Sequence, residues 1–210
     1  MRKDFNIFVE GTADVRFLKQ YIRHLFGEDV ADERLVNLEG LGNLKAEASA
    51  VRMRSMTANG GVNLVIVDAD KDFQGRKDEI AKWQQANGVK FELFLLPNDK
   101  DAGALEDLLE NIINPNNRPI FDCWEDYEKE LVQLDIPGRT PPPLTTPAKK
   151  TKIYGYLEAL LGPTKDEKEL IKERNRKYDN TMHWDLDAEY LGALKEFLTK
   201  NIMGKGNGSK

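Results

Sequence analysis

The chain has 210 residues, 40% of them hydrophobic and 32% charged, and its 31 basic and 36 acidic side chains leave a net charge of -5. This is the make-up of a globular protein with room for one core, or for one core and an appendage, and it excludes a basic protein that coats nucleic acid by charge alone. No apolar run approaches the roughly 20 residues of a membrane span, the start MRKDFNIFVEG lacks a long apolar segment, and the one cysteine, Cys123, has no partner at disulfide or zinc spacing. These features predict a cytoplasmic protein without a membrane segment, with Cys123 as a small buried residue.

Phe5 to Val9 is a short apolar run that predicts a strand, and it ends on Glu10. Gly11 follows as a turn, and Thr12 is placed to cap a helix whose apolar positions Val15, Leu18, Ile22 and Leu25 recur at helical spacing. Asp14 falls in the first turn of that helix, where it also complements the helix dipole. Leu35 to Leu38 predicts a second strand, followed by a glycine-containing loop and a helix from about Leu44 to Met56.

Asn63 to Asp70, NLVIVDAD, is the clearest stretch of the chain: apolar residues on both faces predict a buried strand, and two carboxylates, Asp68 and Asp70, stand at its exit. A helix from about Arg76 to Ala86 comes next, then a strand at Phe91 to Leu96 stopped by Pro97. A helix then starts near Ala104, with Leu105, Leu108, Leu109 and Ile112 as its buried stripe and Glu106 off that stripe. Strands alternating with helices predict an α/β fold with a mostly parallel sheet of about four strands.

Beyond Pro115 no further strand is legible. Phe121, Trp124, Tyr127, Leu131 and Leu134 predict one amphipathic helix and Ile153, Leu157, Leu160 and Leu161 another, with an extended proline-rich segment, Pro137 to Pro147, between them. Lys165 to Lys177 reads as a solvated, charged helix face, and a last helix covers about Asp187 to Ile202. The organisation expected is a catalytic α/β domain over 1–115, a helical extension packed on it over 116–202, and a disordered glycine- and lysine-rich tail over 203–210. His24 and His183 have no partner at ligand spacing and read as packing or solvent residues.

A parallel sheet gathers Glu10 with Asp14, Asp68 with Asp70, and Glu106 at one edge. Like charges so close cannot all ionise without a cation, and an all-oxygen donor set favours Mg²⁺ or Mn²⁺. The segment Phe8-Val9-Glu10-Gly11-Thr12-Ala13-Asp14-Val15-Arg16-Phe17-Leu18, together with Val65-Ile66-Val67-Asp68-Ala69-Asp70, resembles the TOPRIM domain, especially that of the OLD-family nucleases. The stretch from Leu96 to Leu109 resembles one found in small stand-alone TOPRIM-like proteins. The resemblance covers about Phe5 to Ile113.

This resemblance implies phosphodiester hydrolysis on nucleic acid, DNA before RNA, with Glu10, Asp14, Asp68 and Asp70 as catalytic residues and metal ligands and Glu106 completing a second metal position. Lys149 and Lys152 are the candidate phosphate-binding lysines. The chain has no ATPase module, which OLD nucleases carry, so a partner ATPase is a further expectation. Two alternatives use the same residues: a non-catalytic TOPRIM-fold module for interactions in DNA repair or recombination, and a DxD phosphatase with Asp68 as nucleophile. The second leaves Glu10 and Asp14 without a role.

Overall fold

In the computed structural model of the protein, which describes residues 4–140, 144–162 and 164–203, the apolar run Phe5–Val9 is a fully buried strand, β1. It leads through Gly11 into helix α1, Thr12–Phe26, which closes on Gly27 in the left-handed conformation. There follow β2 (Leu35–Asn37), a 3-10 turn at Leu41–Lys45, α2 (Glu47–Ala58), β3 (Val62–Asp68), α3 (Phe73–Asn87), β4 (Glu92–Leu96) and α4 (Leu105–Glu110). The four strands form one parallel sheet in the order β2-β1-β3-β4, flanked by helices. The fold class is therefore α/β, as the alternation of elements predicts.

The strand order places a topological switch between β1 and β3. Connections leave β1 toward one side of the sheet and β3 toward the other, which opens a crevice at their carboxyl ends. Alternation of side chains sets what faces that crevice. Phe5, Ile7 and Val9 of β1 and Leu64 and Ile66 of β3 point to the layer holding α1 and α4, while Phe8, Val65, Val67 and Ala69 point to the layer holding α2 and α3. Asp68 keeps step with Leu64 and Ile66, so its carboxylate leaves the sheet on the α1 and α4 side.

After Pro115 the chain is helical: α5 (Arg118–Leu131), α6 (Lys149–Leu161), α7 (Lys165–Ile171) and α8 (Gly192–Leu198), the last continuing into a π-helical turn at Thr199–Met203. No further strand occurs among the described residues. Phe121, Ile153, Tyr156, Tyr178, Trp184 and Leu198 belong to the same hydrophobic cluster as Ile7, Leu64 and Phe94, so these helices close one face of the sheet. Phe94 of β4 meets Phe197 of α8 with ring centroids 5.3 Å apart.

Several expectations change. Gly11, not Thr12, is the N-cap of α1, because the Asp14 carboxylate reaches back to the Gly11 amide. The second helix begins at Glu47, after the 3-10 turn, and not near Leu44. In α5 only Phe121 is fully buried, Tyr127 is exposed, and Leu134 lies beyond the helix end in solvent. Cys123 is exposed, since it falls on the face of α5 opposite Phe121. The charged segment is α-helical only to Ile171, adds a 3-10 turn at Glu173–Asn175, and its Arg176 is buried, anchored on the carbonyl of Ile171 and the hydroxyl of Tyr178. Met203, expected in a disordered tail, ends the π-helical turn; 204–210 and, within the proline-rich segment, 141–143 lie outside the described residues.

Candidate functional site

Four elements bring carboxylates to the switch-point crevice. Glu10 is the first residue past β1, and its backbone carbonyl accepts from Gly40 N at 3.0 Å, which ties it to the loop after β2. Asp14, buried in the first turn of α1, accepts on Oδ2 from Gly11 N at 2.9 Å. Asp68 closes β3, and its Oδ1 accepts from Leu105 N at 3.1 Å, so it joins the sheet edge to the start of α4. Glu106, the next residue of α4, completes the group.

Asp70, whose charge acts on Glu10, is held differently. It adopts a left-handed φ of 55°, its amide donates to the Gly103 carbonyl at 2.9 Å, and its carboxylate pairs with the Arg76 guanidinium. The positive φ turns the chain away from strand geometry two residues after β3 ends.

The electrostatics describe an unsatisfied cluster. Burial above all, then the charges of Asp14, Glu10 and Glu106, push Asp68 up to about 8. Burial likewise pushes Asp14 up to about 7, with Glu106 and Glu10 adding repulsion against the pull of the Gly11 amide. Glu10 is raised by burial and by Asp70, and Arg76 opposes that rise. Two carboxylate oxygens, Glu10 Oε2 and Asp14 Oδ1, are buried with no hydrogen-bond partner. A buried, repelled, undonated oxygen is a costly group that a cation would relieve.

These donors fit a hard divalent ion by chemistry: all are oxygens, two are orphaned, and no histidine or cysteine stands among them. Among the described residues, however, no three acidic, histidine or cysteine side chains lie as a formed metal cage. The carboxylates are a cluster within mutual electrostatic reach and not a closed coordination sphere.

The two expected phosphate-binding lysines are otherwise engaged. Lys152 is buried, its ammonium 3.4 Å from Glu110 and 3.7 Å from Glu125 and 4.9 Å from the centre of the Phe121 ring. It sits beside Ile153 and Tyr156 on the inward face of α6, where a charge persists only if paired. Lys149 is paired with Asp107, the neighbour of Glu106, and stands at the rim. Lys150, on Glu173 at 2.5 Å, feels the charge of Glu106.

Sequence reasoning missed Arg76. It lies in the first turns of α3, pairs with Asp70 and with Glu79 at 3.0 Å, and acts on Glu10. With Asp70 and Lys71 it lines an open cleft of about 470 Å³. The signal available was a basic residue opening the helix that follows the DxD strand. Tyr178 was also missed: it comes from the segment after α7, is buried, and lies within the electrostatic influence of Asp14.

Fold and site together define an α/β domain with a parallel sheet whose carboxyl edge carries a cluster of buried and half-buried, mutually repelling acids. The chain belongs to the family described as Protein of unknown function (DUF3226), whose model matches residues 4–202, sheet and helical extension alike. No curated protein and no solved structure matches it. No helix among the described residues is long and apolar enough to cross a membrane.

Proposed function

We propose that this protein is a TOPRIM-like, Mg²⁺- or Mn²⁺-dependent phosphodiesterase that hydrolyses nucleic acid, DNA in preference to RNA, in the cytoplasm. The observation that carries the reading is the meeting of Glu10, Asp14, Asp68 and Glu106 at the switch-point crevice, with two of their oxygens buried and undonated. Acids from separate elements, with Asp14 and Asp68 lifted by burial and by their neighbours' charges, cost stability unless a cation joins them.

Glu10, Asp14, Asp68 and Glu106 would hold the ion. When bound, it would supply Lewis-acid polarisation of a phosphoryl oxygen and a water acidified toward neutral pH. The chain's own residues do the rest. The Gly11 and Leu105 amides fix one oxygen each of Asp14 and Asp68, leaving their remaining oxygens for the ion. Glu10, half-buried at the end of β1, is placed to accept the proton of the attacking water. Arg76, at the wall of the cleft, offsets charge growing on the phosphoryl oxygens, with Lys150 and Lys149 at the rim near Glu106.

The test is incubation with single- and double-stranded DNA and RNA, with Mg²⁺ or Mn²⁺, for wild type and Glu10→Gln. Cleavage that the substitution abolishes supports the enzyme; no cleavage on any substrate, alone or with a candidate partner ATPase, removes it. A second reading, a non-catalytic interaction module of the same fold, is favoured by the lack of a formed cage among the described residues and by the capture of Asp70 on Arg76. It predicts a partner protein bound equally with and without divalent ions.

A further inference from the structure

On the outer face of α1, Arg16, Lys19 and Arg23 come from successive turns and, with Lys177 from the segment after α7, line a groove of about 250 Å³. Both walls are fixed by one buried side chain. Gln20 donates to the Arg176 carbonyl at 3.0 Å and accepts on Oε1 from the amides of Tyr178 at 2.7 Å and Asp179 at 3.1 Å. Arg16 Nε donates to the same carbonyl at 3.0 Å, which orients its guanidinium and leaves the terminal nitrogens open.

The charges in the groove are unequal in their freedom. Lys19 is paired with Asp32, and Arg23 with Asp29 at 3.7 Å. Asp179 lies in the lining as well. Among the described residues, neither Arg16 nor Lys177 has a carboxylate partner, in a chain whose net charge is -5. Arg16 is two residues beyond Asp14 on α1 and therefore on the opposite side of that helix, so α1 stands between the groove and the acidic cluster.

We infer that this groove binds the phosphodiester backbone of one nucleic-acid strand, with Arg16 and Lys177 each taking a phosphate. The inference deepens the phosphodiesterase reading and rests on it for the class of ligand. No aromatic side chain lines the groove for base stacking, so binding is by charge and independent of sequence. The segment after α7, read from sequence as a solvated face, thereby acquires a role, since it supplies half the groove.

The experiment is fluorescence anisotropy with a labelled 12-nucleotide oligo-dT in EDTA, so that nothing is cut, across a salt series. At about 0.7 counterions released per phosphate on a single strand, Arg16→Gln with Lys177→Gln lowers the log–log salt slope by about 1.4. By the same constant it weakens binding at 0.1 M salt about 25-fold. Lys177→Gln alone, at an exposed position, gives half the slope change and guards against a folding defect at Arg16, while Lys195→Gln on α8 changes nothing. Wild-type slope and affinity in the double variant, no binding by wild type, or tighter binding of the matching duplex each overturn the inference. The two readings fail separately: groove-dependent binding without cleavage in Mn²⁺ sinks the phosphodiesterase, and cleavage with the double variant unaffected sinks the groove.

Discussion

Replacing Asp14 by Asn should make the protein more stable at pH 8 in the presence of a chelator, although a buried, hydrogen-bonded residue is being changed. Asp14 is 6% exposed, holds the Gly11 amide on one oxygen, and has no donor for the other. Its carboxyl titrates at about 7 against 3.8 for an ordinary aspartate. A native acid that binds its proton more tightly than the unfolded chain does makes stability fall as pH rises, here between about pH 4 and pH 7, and level off above. A gap of about three pH units at about 1.4 kcal/mol each corresponds to about 4 kcal/mol, which side-chain relaxation and coupling to Glu10 and Asp68 reduce to about 2 kcal/mol. Asparagine keeps an oxygen for Gly11 and turns an N–H₂ toward the neighbouring carboxylates. For a chain of this length, about 2 kcal/mol is about 4–8 °C in melting temperature. Melts in EDTA from pH 5 to pH 8.5 should show wild type losing stability and the variant pulling ahead as pH rises. A variant less stable than wild type at pH 8, or a gap that does not widen with pH, refutes the reasoning.

Lys152→Ala removes the cation between Glu110 and Glu125 and its cover over Phe121, and should cost about 3 kcal/mol in urea unfolding, and Lys152→Met, which keeps the apolar stem but leaves the same carboxylates unpaired, should cost less than Lys152→Ala; no loss in Lys152→Met would show that the pair is unimportant. Gly103→Ala should destabilise by at least about 1 kcal/mol, because φ is 146° there and a Cβ would stand 2.7 Å from Asp107 Oδ2; an unchanged melting temperature would contradict this. Arg76→Ala frees Asp70 and removes the charge that holds Glu10 down, so Glu10 should titrate higher by NMR, and an unmoved Glu10 would place Arg76 outside the site.

The sheet and the acidic edge were legible because both are written in local runs. Phe5–Val9 is the strand its apolar run predicts, and the NLVIVDAD strand differs only in ending at Asp68, where Asp70 swings into a left-handed turn held by Gly103. Strand order puts Glu10 and Asp68 on neighbouring strands, a long-range fact that sequence spacing only suggests. What escaped depends on contacts between distant residues. Lys152 reads as surface until α4 and α5 present Glu110 and Glu125 to it. The segment around Arg176 reads as a solvated face because its partner, Gln20, is more than a hundred residues earlier. Arg76 was overlooked because an arginine at the start of a helix has no periodicity to mark it.

Isothermal titration with Mn²⁺ at pH 7.5, for wild type and Asp68→Asn in buffers of different ionisation heat, bears most directly on whether these acids are assembled around a cation. Asp68 titrates at about 8 and Asp14 at about 7, so ion binding must expel protons they still hold. Saturable binding with heat that changes from buffer to buffer, both lost in the variant, is the result expected. No binding by wild type, or identical binding by the variant, would contradict the account.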